Sequence, residues 1–185
     1  MSKVQFGLSD VYYALRKDDG SYETPVHMLG AEQLSISSNN GNGSTIWADN
    51  INFWDSSASG SISGDLQMTK FPKSFYTDVL GQTVETGGAI SAGPTDTAAH
   101  FALLFQLTTD LGGKRYCWYD CTATTPTFTA STNTENISED SETSTITANS
   151  AETAIGIKTS IHCETGDTDY ATWFNAVPYA LTPSA

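Results

Sequence analysis

Basic residues are scarce in this chain. Lys and Arg total 8 of the 185 residues against 21 Asp and Glu, which leaves a formal net charge of −13. A chain this acidic does not hold nucleic acid by neutralising phosphates. The acid excess also favours solubility. It therefore excludes a nucleic-acid partner held by charge but does not identify any other partner.

Long hydrophobic runs and a cysteine framework are also missing. No apolar run reaches the ~18 residues of a membrane-spanning helix, so we expect no membrane partner. The N-terminus, with one base and Asp10, is a poor match to a signal peptide. Cys117, Cys121 and Cys163 are odd in number and lack metal-site spacing. Without an export signal, we expect buried free thiols in a reducing compartment.

The sequence offers no arrangement of residues for catalysis. His27, His100 and His162 are far apart and match no ligand pattern, and His162 and Cys163 would point to opposite faces of a strand. No two acids are marked as the carboxylate pair of a glycosidase. The Gly-rich residues 39–43 lack the Lys and the helix of a phosphate loop. We therefore predict no enzyme, no cofactor and no metal.

Strand and turn formers make up much of what is present. Gly, Ser, Thr and Asn are abundant, whereas the charged helix formers are few. Residues 101–105 (FALLF) are apolar on both faces, and residues 116–119 (YCWY) continue as an aromatic strand after Gly112-Gly113. This pattern predicts a β-hairpin with its turn at the two glycines and with its first strand covered on both sides.

Residues 61–69 show the clearest alternation. Gly64 shares one face with Ile62, Leu66 and Met68, and the other face is polar, which predicts a half-buried strand with one wet face. Directly after it, residues 72–80 predict a short helix, because a Pro opens the first turn, an apolar face follows and Gly81 ends it.

Two further predictions concern the last third of the chain. Apolar residues alternate with polar ones over residues 155–163, which predicts one half-buried strand. Tyr170, Trp173, Phe174 and Val177 have helical spacing, which predicts a second short helix that ends before Pro178. Residues 133–142 carry four acids and no base, and we expect a solvated loop there.

Residues 37–60 form a long excursion between two predicted strands. Ser- and Gly-rich breaks flank an aromatic stretch that contains Trp47, Phe53 and Trp54. Two interpretations remain open, a plain surface hairpin and a patch that docks on a partner, because long loops in compact domains are often functional.

Short motifs follow one another along most of the chain: FGL (6–8), VYYA (11–14), ADN (48–50), GDL (64–66), PxxF (72–75), LG (80–81), FALLF (101–105), GKRY (113–116), YxCTA (119–123) and ITA (146–148). No single motif is specific, since none carries chemistry. As an ordered set, they resemble one known family, the major tail proteins that form the tail tubes of bacteriophages with long, non-contractile tails. The resemblance extends from residue 4 to about residue 175.

This resemblance implies a mainly β fold: a β-sandwich with one flanking short α-helix in a single tail-tube domain over residues 1–185. It also implies hexameric rings whose sheets join into one barrel and which stack into a conduit for DNA ejection. With the alternation above, it predicts that Asp65, Ser63 and Gln67 face the lumen. The 37–60 excursion becomes the inter-ring loop, with contacts made by Trp47, Asp49, Asn50, Phe53 and Trp54.

The resemblance further implies partners and a location. The subunit would pair with itself and meet tape measure, tail terminator and tail-tip proteins, while double-stranded DNA passes without specific binding. Assembly would occur in the bacterial cytoplasm and end in the virion tail. The alternative is a β-sandwich adhesion module that binds carbohydrate through Trp47, Trp54 or Trp118.

Overall fold

The fold is mainly β, as predicted. The computed structural model describes residues 5–38, 45–48, 51–55, 61–110, 112–130 and 140–182. The strands are β1 (Gln5–Leu15), β2 (Val26–Met28), β3 (Ala31–Ser38), β4 (Thr45–Ala48), β5 (Ile51–Asp55), β6 (Ile62–Met68), β7 (Thr83–Val84), β8 (Ile90–Ser91), β9 (Phe101–Thr109), β10 (Gly112–Ala123), β11 (Thr127–Phe128), β12 (Glu142–Ala148), β13 (Ala151–Thr153), β14 (Gly156–Lys158) and β15 (Ser160–Glu164).

One antiparallel sheet organises the chain, with the strand order β2-β1-β9-β10-β12-β6-β3; β15 also pairs with β10, and β11 with β12. Its two halves bury their facing sides in one core, so the sheet is consistent with a β-sandwich. We name the half made of β2, β1, β9, β15 and residues 112–118 of β10 layer A. Layer B comprises β3, β6, β12, β11 and residues 121–123 of β10.

Strand β10 passes from layer A to layer B. The ladder to β9 shifts register between Trp118 and Cys121, where Asp120 has φ +46°, which is uncommon for a residue with a side chain. The Asp120 carboxylate lies 2.8 Å from an Arg16 guanidinium nitrogen and 2.8 Å from the His100 ring. These contacts hold the corner where the two layers join.

Two apolar clusters cover the two faces of β9. All of residues 101–105 are buried, which confirms the predicted cover on both sides. On one face, Phe101, Leu103 and Phe105 join the core between the layers. On the other face, Ala102 and Leu104 pack in a cluster with Trp173 and Val177 of the C-terminal segment, residues 170–180.

The predicted hairpin is confirmed, but its turn lies before the two glycines. Thr109 pairs with Gly112, so Gly112 and Gly113 are the first residues of β10. Gly112 has φ +136°, and a Cβ there would collide with Thr165. A Cβ at Gly113 would collide with the Tyr170 hydroxyl. The glycines therefore leave room for Thr165 and for Tyr170 of the C-terminal segment rather than make the turn.

The predicted first helix forms as α1 (Phe75–Val79), with Phe75 and Val79 buried. The Leu80 N–H donates to the Phe75 carbonyl five residues back, at 3.2 Å, so α1 is wound as a π-helix rather than an α-helix. Within the described ranges, no helix has the length and apolar character to cross a membrane.

Two predictions for the last third of the chain are wrong. The second helix is reduced to a 3-10 turn (Tyr170–Thr172), because side-chain hydrogen bonds in both directions anchor this segment to the sheet. The Trp173 indole donates to the Tyr116 carbonyl at 3.4 Å, and the Tyr119 hydroxyl to the Pro178 carbonyl at 2.7 Å. The single strand over residues 155–163 divides into β14 and β15, because β14 pairs with β13 in a separate hairpin.

Candidate assembly surfaces

The outer face of layer B is polar. In β6, Gly64, Leu66 and Met68 are buried, whereas Asp65 is exposed and Ser63 and Gln67 are half-buried. The alternation predicted from the sequence is therefore confirmed. Asp65 pairs with Ser35 of β3 and Thr145 of β12, so the polar row continues onto both neighbouring strands.

Short polar side chains connect the strands across this face. The Thr145 hydroxyl donates to the Asp65 carboxylate at 2.6 Å. The Gln67 amide donates to the Ser141 hydroxyl at 2.6 Å and to the Glu32 carboxylate at 3.1 Å. These side chains bond largely to each other, so the face is hydrophilic and compact.

Positive charge is missing from the strands of layer B that form this face. The sequences of β3, β6, β11 and β12 contain no Lys or Arg, whereas Glu32 and Asp65 contribute carboxylates. Nucleic-acid phosphates bind mainly to Lys, Arg and other hydrogen-bond donors. These four strands therefore present hydroxyls, the amides of Gln33 and Gln67 and carboxylates, and they carry no basic side chain to attract a phosphate.

Layer B has two open edges within the described part of the chain. On one side, β3 pairs with β6 only. On the other, residues 121–123 of β10 and then β11 run along β12 as one strand, since the Thr124 N–H between them donates to the Thr145 carbonyl at 3.0 Å. This edge is open beyond Cys121, which pairs on its other side with Phe101 of β9. The layer thus has four antiparallel positions, and its two edge strands run in opposite directions. Open edges bind other strands readily.

The 37–60 excursion extends from one end of layer B. Ser38 of β3 pairs with Ile62 of β6, and the chain between them includes the antiparallel hairpin of β4 and β5. The backbone of Trp47, Phe53 and Trp54 lies in this hairpin. Their side chains, and all of Asp49 and Asn50, lie outside what the structure describes.

One aromatic residue of the carbohydrate-binding alternative is buried. Trp118 is 2% exposed and packs between the layers, where it forms an edge-on contact with Phe105 at 5.5 Å between ring centroids. It cannot stack on a sugar, so this assignment is wrong. The side chains of Trp47 and Trp54 lie outside the described structure and keep that part of the alternative untested.

The three cysteines are buried free thiols, as predicted. Desolvation raises the pKa of the Cys117 thiol well above its usual value, and desolvation likewise raises the pKa of Cys121 and, to about 11, of Cys163. In β15 the exposed His162 and buried Cys163 face opposite ways. Protonated, buried thiols are poor nucleophiles, so these side chains serve packing.

Sequence reasoning missed two features of the surface. The Arg16–His100–Asp120 cluster joins residues far apart in sequence, and no local motif announces it. The exposed apolar side chains of Leu29 and Phe128 lie at short strands beside turns. Strand pairing alone shows that Phe128 lies at one edge of layer B and that the β2–β3 connection with Leu29 leads into the other edge.

Comparison with protein families gives a match over nearly the whole chain. The family described as phage tail tube protein matches residues 3–176 of the 185 residues. A comparison with curated proteins returned no match.

Proposed function

The chain belongs to the phage tail tube protein family, and from this premise we propose that it forms hexameric rings which stack into the tube of a long, non-contractile tail. The family supports a structural role in the tail tube, with self-assembly, and a place in the virion tail. Four features of this assembly are our proposal: the ring size, the lumen wall, the stacking contacts and the role in DNA ejection.

The polar face of layer B is the observation that carries this proposal. A water-filled conduit for DNA needs a wall that is wetted and does not bind phosphate. Ser63, Asp65 and Gln67 lie on such a face, whose strands contain no base. Six copies at −13 each would surround the DNA, although salt screens charges beyond about 8 Å. Only acids near the wall, such as Asp65, then act on the DNA.

The strand count of layer B favours closure into a barrel. Because the layer has four antiparallel positions, a copy placed head-to-tail presents an antiparallel strand to the open edge of β3. Pairing all around the ring would leave no open edge in layer B. A head-to-tail contact that repeats by rotation closes into a ring, as the proposed hexamer requires.

The 37–60 excursion is the proposed inter-ring contact, within one tail-tube domain of residues 1–185. The excursion connects Ser38 of β3 to Ile62 of β6, so it starts and finishes at the same end of layer B. From that end, its hairpin could reach a ring stacked on this one. The proposed contacts are those of Trp47, Asp49, Asn50, Phe53 and Trp54. Replacing residues 39–58 by a short Gly-Ser turn should yield folded subunits or single rings, and long tubes from this variant would refute the assignment.

The proposed external partners are the tape measure, tail terminator and tail-tip proteins, with DNA passing unbound. Assembly is placed in the bacterial cytoplasm. These assignments are supported by the family alone.

Negative-stain imaging of the purified chain tests the assembly. Rings with six-fold symmetry or tubes are expected, and the fraction assembled should rise with protein concentration. A particle that stays monomeric at every concentration would favour the adhesion module instead.

Two paired variants test the lumen wall. A Cys introduced by Ser63→Cys should react with a bulky maleimide in free subunits and be protected in tubes, whereas Glu152→Cys on the β13–β14 hairpin should react in both. Asp65→Lys should assemble and slow DNA ejection, with Glu152→Lys as the matched control. A fully reactive Cys at position 63 in tubes would place this face on the outside.

A further inference from the structure

Two of the most exposed large apolar side chains lie on opposite sides of layer B, Phe128 in its edge strand β11 and Leu29 in the connection from β2 to its edge strand β3. Leu29 is 76% exposed and immediately precedes Gly30 and β3, and Phe128 is 70% exposed and lies in β11. Most large apolar side chains of the described chain are buried in the two clusters. Exposed apolar side chains on an open edge favour association with another chain. In an isolated subunit they remain in contact with water and do not stabilise the fold.

The strand register places Phe128 in one row with Ala31, the first residue of β3, which follows Leu29 by two residues. Ala31 of β3 pairs with Met68 of β6, Met68 with Glu142 of β12, and Glu142 with Phe128 of β11. Leu29 precedes Ala31 by two residues. This row crosses the layer from edge to edge over roughly 14 Å, at 4.7–4.9 Å for each strand spacing.

The pairing along this row also shows on which side of layer B the Phe128 side chain lies. Residues paired across strands point to the same side of a sheet. Glu142, the partner of Phe128, turns away from the polar face, because its carboxylate accepts from the Phe71 N–H at 2.8 Å and from the Tyr76 hydroxyl at 3.1 Å. Phe128 is therefore on the side of the layer opposite Asp65.

We propose that Leu29 of one subunit packs against Phe128 of a second copy of this chain, and that this contact sets the register between neighbouring layers B. The proposal rests on the ring assembly proposed above and names the residues that join its members. The occupant of each edge is a second copy, because the two apolar groups lie toward the same end of layer B on opposite sides, where the edge strands run in opposite directions. Such a contact is heterologous and repeats around a ring.

Disulfide cross-linking tests the contact directly. The double variant Leu29→Cys with Phe128→Cys, assembled and then oxidised with copper phenanthroline, should give a ladder of covalent multimers on non-reducing gels. Each single variant should give no ladder, which also controls for the three native cysteines. Leu29→Cys with Ile157→Cys is the matched pair, since Ile157 is 73% exposed but lies on β14, off the row; it should not cross-link.

A charge exchange gives a second reading. Leu29→Asp should raise the concentration needed for assembly by about tenfold or more, as for the loss of a central interface residue. Adding Phe128→Lys should restore much of that loss, whereas Val84→Asp, at another exposed apolar site, should not change assembly.

The outcomes separate this contact from the proposed function. Tubes that form from the double-cysteine variant without a ladder would overturn the Leu29–Phe128 contact and leave the tube proposal standing. Failure of the wild-type chain to form rings or tubes would overturn both. A ladder from the matched pair instead would show that β14, rather than β11, meets the neighbouring edge.

Discussion

Strands β9 and β6 both lie within the same sheet, yet they differ in what covers them. Residues 101–105 of β9 are buried on both faces, because the C-terminal segment packs against the face turned away from layer B. Strand β6 buries one face and leaves Asp65 exposed on the other. The chain thus supplies its own cover for layer A and leaves layer B polar on its outer side.

The difference shows how one sheet serves two purposes. The outer face of layer A needs a cover because its side chains are apolar, and the Arg115 guanidinium helps hold that cover by lying over the Tyr170 ring, 3.9 Å from its centroid. The outer face of layer B needs none, because its side chains are polar and hydrogen-bond to each other at the surface. A face that remains wet is available for a lumen without any rearrangement of the subunit.

The largest expected effect comes from a residue on the covered face. Leu104→Ala should lower the free energy of unfolding by about 2–5 kcal/mol, because Leu104 is fully buried beneath the C-terminal segment. Gln67→Ala, on the wet face, should change it by no more than about 0.5 kcal/mol. Urea denaturation of the free subunit measures both. Equal losses would remove the contrast between the two faces.

A smaller effect is expected where β6 meets the core. A Cβ at Gly64 would lie 2.9 Å from the Ser35 carbonyl oxygen and 3.1 Å from the Trp118 ring. Gly64→Ala should therefore cost about 1–3 kcal/mol through overpacking. Gly87→Ala is the control, since a Cβ there meets nothing within 4 Å. If thermal melting shows the same stability for both variants, the buried face of β6 has more space at Gly64 than the 2.9 Å approach to Ser35 indicates.

Alkaline pH should lower the stability of the fold through the buried Tyr13. Desolvation is the main cause that raises the pKa of Tyr13 from 10.0 to about 12, while its hydroxyl donates to Asp78 at 2.9 Å. Because the folded-state pKa is the higher one, this stabilisation is complete below pH 10.0 and is lost as the pH rises towards about 12. Urea midpoints should fall over that interval, and Tyr13→Phe should reduce the fall. An unchanged fall would mean that other groups control it.

The smallest effect is expected on the wet face itself. Asp65→Asn keeps an oxygen that can accept from the Thr145 hydroxyl, so the stability of the free subunit should change by less than about 0.5 kcal/mol. Differential scanning calorimetry of wild type and variant measures this. A loss of several degrees in melting temperature would show that the Asp65 charge supports the fold rather than a surface.

The sequence predicts best where a pattern is local. Residues 101–105 and the alternation around Asp65 have strong periodicity, and both strands form with the predicted faces. Family motifs spread along the chain indicate the tail tube family, which the match over residues 3–176 confirms.

The sequence predicts poorly where distant side chains decide the backbone. Helical spacing from Tyr170 to Val177 is real, but the bonds of Trp173 and Tyr119 to distant carbonyls replace a helix with an irregular segment. Ile155 and Ile157 continue a strand pattern, yet they are exposed in a separate hairpin. Of the candidate assembly residues, Ser63, Asp65 and Gln67 lie on one face as expected, and their place in a tube stays a prediction.

Strand β10 couples the two layers of the subunit mechanically. Because it pairs with β9 and β15 in layer A and then with β12 in layer B, a load applied to one layer is carried into the other along covalent bonds. Sliding of the layers would have to bend the backbone at Asp120, which Arg16 and His100 hold in place. In a long filament made of such subunits, the continuous backbone of β10 would resist sliding of layer A against layer B in every subunit of the wall.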